Sequence, residues 1–105
     1  KEAAAEVKMV AMEPLIVNLS GSEGYKLLKV TMSFEVENAA TQEEITKRMA
    51  MVKDTALLLL GSKTYSEISG DNAQQKLKDE IMDTMNSFLT KGKIKKILFT
   101  EFIFT

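Results

Sequence analysis

The sequence predicts a small α+β domain in which helices pack on one face of an antiparallel or mixed sheet, in the order β-β-α-α-β. Apolar and polar residues alternate near the start of the chain, whereas the middle carries apolar residues at helical spacing. The C-terminal end holds Phe99, Phe102, Ile103 and Phe104. Each of these side chains costs about 1.5–3 kcal/mol when it is left in water. We therefore expect the chain to end in a strand that is paired within the fold.

The first two elements are predicted strands joined by a hairpin loop. Leu15, Val17 and Leu19 alternate with polar residues, and residues 20–24 contain two glycines that tolerate the backbone angles of a tight turn. A second strand follows over residues 28–36, in which every second residue is apolar. This strand should have one face in the core and one face in water.

A capping-box sequence marks the start of the first predicted helix. Thr41 and Glu44 have the T-x-x-E spacing in which the hydroxyl and the carboxylate each satisfy a free N–H group. The apolar stripe of this helix runs to Gly61, a residue type favoured just after a helix end. The last turns are apolar nearly all round, which predicts either burial beneath a neighbouring helix or contact with another subunit. The residues outside the stripe are Met51, Leu57 and Leu58.

Two further helical segments precede the last strand. Residues 62–68 predict a short turn of helix with hydroxyl caps. A longer helix should open at Asp71 or Asn72 and stop at Gly92, with a clear apolar stripe. The stripe consists of Ala73, Leu77, Ile81, Met85 and Phe88.

The composition excludes several kinds of protein. A chain of 105 residues is the size of one domain. The absence of Cys and His removes disulfides, thiolate catalysis, the usual zinc ligands and the commonest general base, so we expect no cofactor and no metal. An enzyme would depend on Asp, Glu, Lys, Tyr or Ser alone. A net charge of -1 offers no field for nucleic acid, and no apolar run is long enough to span a bilayer.

The N-terminal segment is a candidate for contact with a partner. Residues 1–6 have the polar, Ala-rich composition of a linker or stalk, and the chain begins with Lys, so we expect a fragment whose N-terminus lies upstream. Residues 7–12 contain four large apolar side chains, which either dock on the sheet or clasp an extended segment of a partner. These residues are Val7, Met9, Val10 and Met12.

A lysine cluster precedes the final apolar stretch. The cluster lies where a helix C-terminus favours cations and where lysines can guard a strand against edge pairing. Its members are Lys91, Lys93, Lys95 and Lys96. The alternative is contact with an acidic partner or an anionic membrane surface. The two explanations remain open at this point.

The sequence resembles the FliL family of flagellar basal-body proteins from about Met12 to its end. The C-terminal section is the most specific part of the resemblance, whereas Leu27 and the absence of a Pro near Met51 depart from the family pattern. The matching residues are Leu28-Lys29-Val30, Val52-Lys53-Asp54, Leu60-Gly61-Ser62-Lys63-Thr64, Gly70, Leu77, Glu80-Ile81, Asn86, Leu89, Gly92, Ile94, Ile97 and Phe99-Thr100-Glu101-Phe102.

The resemblance implies an upstream single-pass inner-membrane anchor, a linker over residues 1–11 and a periplasmic domain over residues 12–105. It implies a fold similar to the stomatin and prohibitin (SPFH) domain, and a location at the flagellar basal body. The domain would have no enzymatic activity. It would surround or support stator units and promote torque generation and swimming or swarming motility.

The partners implied by the resemblance are flagellar stator proteins of the MotA/MotB type and, in a membrane-anchored ring, further copies of the chain. The alternative is a generic stomatin-like scaffold that organises another membrane complex. Candidate contact residues are the N-terminal apolar set, the lysine cluster and the apolar residues of the first helix that lie outside its stripe.

Overall fold

A computed structural model describes residues 8–105 and confirms an α+β domain with a small antiparallel sheet. The strands in this range are β1 (Lys8–Ala11), β2 (Leu15–Asn18), β3 (Leu27–Val36) and β4 (Ile94–Phe104). The helices are α1 (Ala39–Lys47), α2 (Met49–Gly61), α3 (Tyr65–Ser69) and α4 (Ala73–Asn86). The structure therefore has one strand more than the sequence predicts, and it divides the first predicted helix into two helices.

The sheet is built around β3, which pairs with all three other strands. β4 runs along one side of β3, while β1 and β2 lie end to end along the other side. Between them, the Met12 N–H donates to Met32 O at 3.0 Å, so the chain stays close to β3 across the gap. The extra strand is β1. It lies in the segment for which the sequence leaves two alternatives, docking on the sheet or contact with a partner. Val7 and residues 1–6 lie outside the described residues.

The core lies between one face of the sheet and the helices. Every second residue of β3 is buried, as the alternation predicts. The buried helix positions also follow the predicted stripes. The buried residues of the two longer helices are Val52, Ala56 and Leu60 of α2, and Ala73, Leu77, Ile81 and Met85 of α4. The opposite face of the sheet carries polar and apolar side chains with no helix over it among the described elements.

The predicted capping box at Thr41 is wrong. The first helix begins three residues earlier, where the Asn38 side chain accepts a hydrogen bond from the Thr41 N–H at 2.8 Å. Thr41 donates its hydroxyl to the same oxygen, and Glu44 binds the loop before β4 instead of the helix start. The capping box that does form lies at Thr64 and Glu67, at the start of α3.

The first predicted helix is also divided at Arg48, whose backbone angles of φ -104 and ψ 24 separate α1 from α2. The predicted burial beneath a neighbouring helix is wrong for two of the three apolar residues that lie outside the α2 stripe. Met51 is 42% exposed and Leu58 is 68% exposed. Leu57 is partly buried against the core, which agrees with the alternative of burial. The last helix opens at Asn72 as predicted but ends at Asn86, well before Gly92.

The paired C-terminal strand is confirmed. β4 pairs with β3 from Ile94 to Phe104, with register shifts that leave Lys95 and Thr100 without a direct partner. Phe99, Phe102 and Phe104 lie on the helix side of the sheet and are half-buried against the core. Ile103 lies on the open face and is 48% exposed.

Candidate interaction surface

Exposed apolar side chains form a first surface on α2. Met51 and Leu58 lie seven residues apart, which places them on the same side of the helix. The Arg48 guanidinium lies 3.2 Å from the Met51 sulfur and fixes one end of this surface. The α2 surface therefore presents two large apolar side chains to water.

A second surface lies on the open face of the sheet. Strand register places Ile16 and Ile103 on either side of Lys29 in one row across the sheet. Ile16 is 64% exposed. Met9 lies on the same face, opposite Glu35, six residues further along β3 than Lys29, and is 36% exposed. We call Met9, Ile16 and Ile103 the sheet surface.

The structure divides the predicted N-terminal contact residues. Val10 and Met12 are each 6% exposed and belong to the core, whereas Met9 belongs to the sheet surface. Val7 lies outside the described residues. Ile16 was not singled out by sequence reasoning, although the alternation in β2 places it on the side away from the core.

Glu44 holds the loop that leads into β4. Its carboxylate accepts hydrogen bonds from the Thr90 and Lys91 N–H groups at 2.9 Å and from the Thr90 hydroxyl at 2.9 Å. Arg48 donates to it at 3.1 Å and also to Phe88 O at 2.9 Å. Burial raises the pKa of Glu44, but these hydrogen bonds outweigh burial and lower the pKa to about 2. Glu44 is therefore an anionic anchor for this loop.

The same loop orients the predicted lysine cluster. The Lys93 N–H donates to Glu37 at 2.9 Å, and the Lys93 ammonium donates to Asn86 O at 3.0 Å. Lys95 lies 4.0 Å from Glu37, and Lys96 lies opposite Glu35 in the sheet. All three lysines are exposed. The cluster therefore lies at the start of β4, partly balanced by two glutamates.

An aromatic row follows the second half of β4. The rings of Phe99 and Phe102 stack with centroids 5.1 Å apart, and Phe102 and Phe104 meet edge to face at 5.3 Å. Tyr65 of α3 continues the row at 4.8 Å from Phe104. Lysine ammonium groups lie over both ends, Lys78 over Phe99 and Lys26 over Tyr65. We call Phe99, Phe102, Phe104 and Tyr65 the aromatic row.

Within residues 8–105, no cluster of three or more metal-ligating acidic side chains is present. An open groove of about 600 Å³ lies between β1 and α1. The groove contains Met9 and Met49, and Gln42 donates its side-chain N–H to Met9 O at 2.8 Å. In the same part of the chain, no helix is long and apolar enough to cross a membrane.

Comparison with known proteins gives one family. The profile described as flagellar basal body-associated protein FliL matches residues 9–104. The chain is 30% identical over 90 residues to the flagellar protein FliL of Aquifex aeolicus, covering 86% of this chain and 56% of that protein. It is also 30% identical over 93 residues to FliL of Bacillus subtilis, covering 89% of this chain and 64% of that protein.

A third relative, FliL of Treponema pallidum, is 30% identical over 80 residues, covering 75% of this chain and 43% of that protein. The chain thus spans 43–64% of the length of these relatives. The family profile covers nearly the whole chain, including the loop held by Glu44 and all of β4. The chain therefore belongs to the FliL family of flagellar basal body-associated proteins.

Proposed function

We propose that the chain is the periplasmic domain of a motor component that surrounds or supports stator units of the MotA/MotB type and promotes torque generation. Family membership favours this role over a scaffold for a complex unrelated to motility. The observation that supports the proposal is the presence of two separate apolar surfaces on one folded domain. Exposed Leu58 on α2 and exposed Ile16 on the sheet each lose unfavourable contact with water when a protein covers them.

Two surfaces allow two kinds of neighbour. We assign the α2 surface to a second copy of the chain, because residues 56–60 of α2 are all apolar and Leu58 among them is left 68% exposed. We assign the sheet surface, with the adjoining lysines at the start of β4, to the stator. The domain carries out no reaction of its own in this proposal, and a screen of the purified protein for bound metal or nucleotide tests that part directly.

The domain is proposed to follow a single-pass anchor in the inner membrane, with residues 1–11 connecting the two. β1 is then the point at which the connection joins the sheet. Anchoring raises the effective concentration of neighbouring copies, so weak α2 contacts produce a ring on the membrane. The soluble domain should show weak self-association or none. Helices on one face of a small antiparallel sheet are compatible with the expected similarity to the SPFH domain.

Site-specific crosslinking in the full-length, membrane-anchored protein tests these assignments. A photo-reactive amino acid at Leu58 should capture a second copy, and one at Ile16 should capture a stator protein. A probe at Lys53 is the matched control, because Lys53 is an exposed polar position on α2. Capture of neither partner from Leu58 and Ile16 would contradict the proposal. Capture from the control position at an equal yield would contradict it as well.

A further inference from the structure

Among residues 8–105, no strand pairs with the outer edge of β4. The Thr105 N–H donates to Leu27 O at 3.0 Å, which makes Leu27 and Thr105 a hydrogen-bonded pair. Such pairs alternate along an antiparallel ladder. Phe102 and Phe104 therefore direct their N–H and C=O groups away from β3. No hydrogen bond within residues 8–105 reaches these groups.

Backbone groups also alternate between inward and outward directions in the first half of β4. The Glu37 N–H donates to Lys93 O at 3.2 Å, and alternation along β3 then turns the backbone groups of Ile94, Ile97 and Phe99 outward. The outward groups of Ile94 are occupied, because the Asn86 side chain accepts from its N–H and donates to its C=O. Those of Ile97 and Phe99 have no such partner among the described residues. The free edge thus begins at Ile97.

Side chains beside this edge suit an added strand. The outward-facing residues Phe99, Phe102 and Phe104 also place half-buried rings on the helix side of the sheet. A strand paired to β4 would lay alternate side chains against these rings and cover their remaining exposed area. Stacked and edge-to-face rings are rigid surfaces for such contacts. The backbone edge and the aromatic row therefore form one continuous surface.

The charges beside the edge select an acidic occupant. A groove of about 130 Å³ between α4 and the first half of β4 is bordered by Lys78, Lys95 and Lys96, against one carboxylate, Asp79, among the described residues that line it. A second copy of β4 offers Glu101 as its acidic residue, and that carboxylate already binds the Thr31 hydroxyl at 3.1 Å and Lys29 at 3.6 Å. Self-pairing therefore brings no further acidic partner to the lysines.

We propose that the free edge of β4 from Ile97 to Phe104, together with the aromatic row, accepts an extended acidic segment of a partner protein as an additional strand. Backbone hydrogen bonds supply affinity, and the lysines and rings select acidic and apolar side chains. The lysines both discourage copies of the chain from pairing with each other and admit a partner of opposite charge. This proposal shares Lys95 and Lys96 with the surface assigned to the stator but does not rest on that assignment, because the backbone edge of β4 and the aromatic row lie apart from the sheet surface.

A synthetic peptide of alternating Val and Thr residues, with two Glu at each end, is the probe. Binding to the isotope-labelled chain should slow amide hydrogen exchange at Ile97, Phe99, Phe102 and Phe104. The same peptide with Lys in place of Glu should bind on the order of five- to tenfold more weakly, as the loss of several exposed ion pairs predicts. Protection at Ala11 and Ile16 on the opposite sheet edge, or at no strand, would overturn the proposal.

A pair of double variants separates charge selection from changes in stability. Lys78→Glu with Lys95→Glu should reverse the preference between the two peptides. Lys53→Glu with Lys76→Glu is the matched control, since it changes net charge equally at exposed positions away from the groove. Thermal melts should show both variants folded. Equal effects of the two variants would mean that the net charge of the domain governs binding, and would overturn a site for acidic segments at β4. A small loss of stability in either variant leaves the comparison of the two peptides intact.

Discussion

The side-chain amide of Asn86 pairs with the backbone of Ile94 as a neighbouring strand would. Asn86 Nδ2 donates to Ile94 O at 3.1 Å, and the Ile94 N–H donates to Asn86 Oδ1 at 2.8 Å. The last residue of α4 thereby closes the first outward-facing pair of backbone groups on β4. This pairing fixes the end of α4 to the start of β4 across a loop of seven residues.

Replacing Asn86 by Ala should lower the free energy of unfolding by about 1–3 kcal/mol, because both groups of Ile94 lose their partner next to the core. Hydrogen exchange at the Ile94 amide should become faster in the same variant. Gln74→Ala, at an exposed position of α4, is the control and should change neither quantity. An unchanged exchange rate at Ile94 in the Asn86 variant would show that the amide pairing is not maintained in solution.

Stability should depend on pH through Glu44. Its pKa is about 2 in the folded protein, below the ordinary value of 4.5. A lowered folded pKa gives stability that is fully present above the unfolded pKa and is lost as pH falls through the folded one. Glu44→Gln should therefore melt several degrees below the original protein at pH 7, and the two melting temperatures should converge between about pH 4.5 and pH 2.

Glu43→Gln is the control for this titration, because Glu43 is the preceding residue and its ion pair with Lys47 is exposed. Its melting temperature should stay close to that of the original protein over the whole range. A difference for Glu44→Gln that is constant from neutral to acidic pH would contradict the role of the Glu44 charge in holding Thr90 and Lys91.

Close packing at Gly92 makes this position intolerant of a side chain. A methyl group there would collide with the Thr41 hydroxyl and lie 2.9 Å from a Glu37 carboxylate oxygen. Gly92→Ala should destabilise the domain by about 1–3 kcal/mol, the range for an overpacked site. Thr41→Ala in the same chain should recover part of this loss in a double-mutant cycle. Strictly additive effects would show that the two residues do not meet.

Two isoleucines of β4 provide a matched test of the C-terminal strand. Ile97 is 3% exposed in the core, and Ile103 is 48% exposed on the sheet surface. Ile97→Ala should cost about 2–5 kcal/mol, while Ile103→Ala should cost less than about 1 kcal/mol. Deletion of residues 98–105 should abolish folding, because it removes most of the strand that pairs with β3. A cooperative melt of the truncated chain at an unchanged temperature would contradict the assigned role of β4.

The parts of the fold that the sequence predicts follow local patterns. The parts that it does not predict depend on contacts between residues far apart in the sequence. The alternation of β3 and the stripe of α4 are visible in the sequence because each element buries one face on a single core. Local capping patterns do not predict the start of α1 correctly. Glu44 matches such a pattern, but it binds Thr90 and Lys91, which lie 46 and 47 residues further along the sequence. No Gly or Pro marks the break at Arg48.

The candidate surfaces were predicted less completely than the core. Met51 and Leu58 lie off the stripe of α2, so their exposure was one of two stated possibilities. β1 has only four residues and follows a polar segment, which obscured its pairing with β3. The burial of Val10 depends on that pairing, and so does the position of Met9 on the sheet surface.

Motor torque in living cells tests the central claim most directly. Full-length protein carrying Met51→Ser with Leu58→Ser should fold and accumulate normally, because both side chains are exposed. Cells that contain only this variant should rotate a tethered bead with reduced torque at high load. Tyr25→Ser, which removes another exposed apolar side chain, is the control and should retain full torque. Full torque with the α2 variant present at normal abundance would contradict the proposal that contacts between copies through the α2 surface are needed to support the stator.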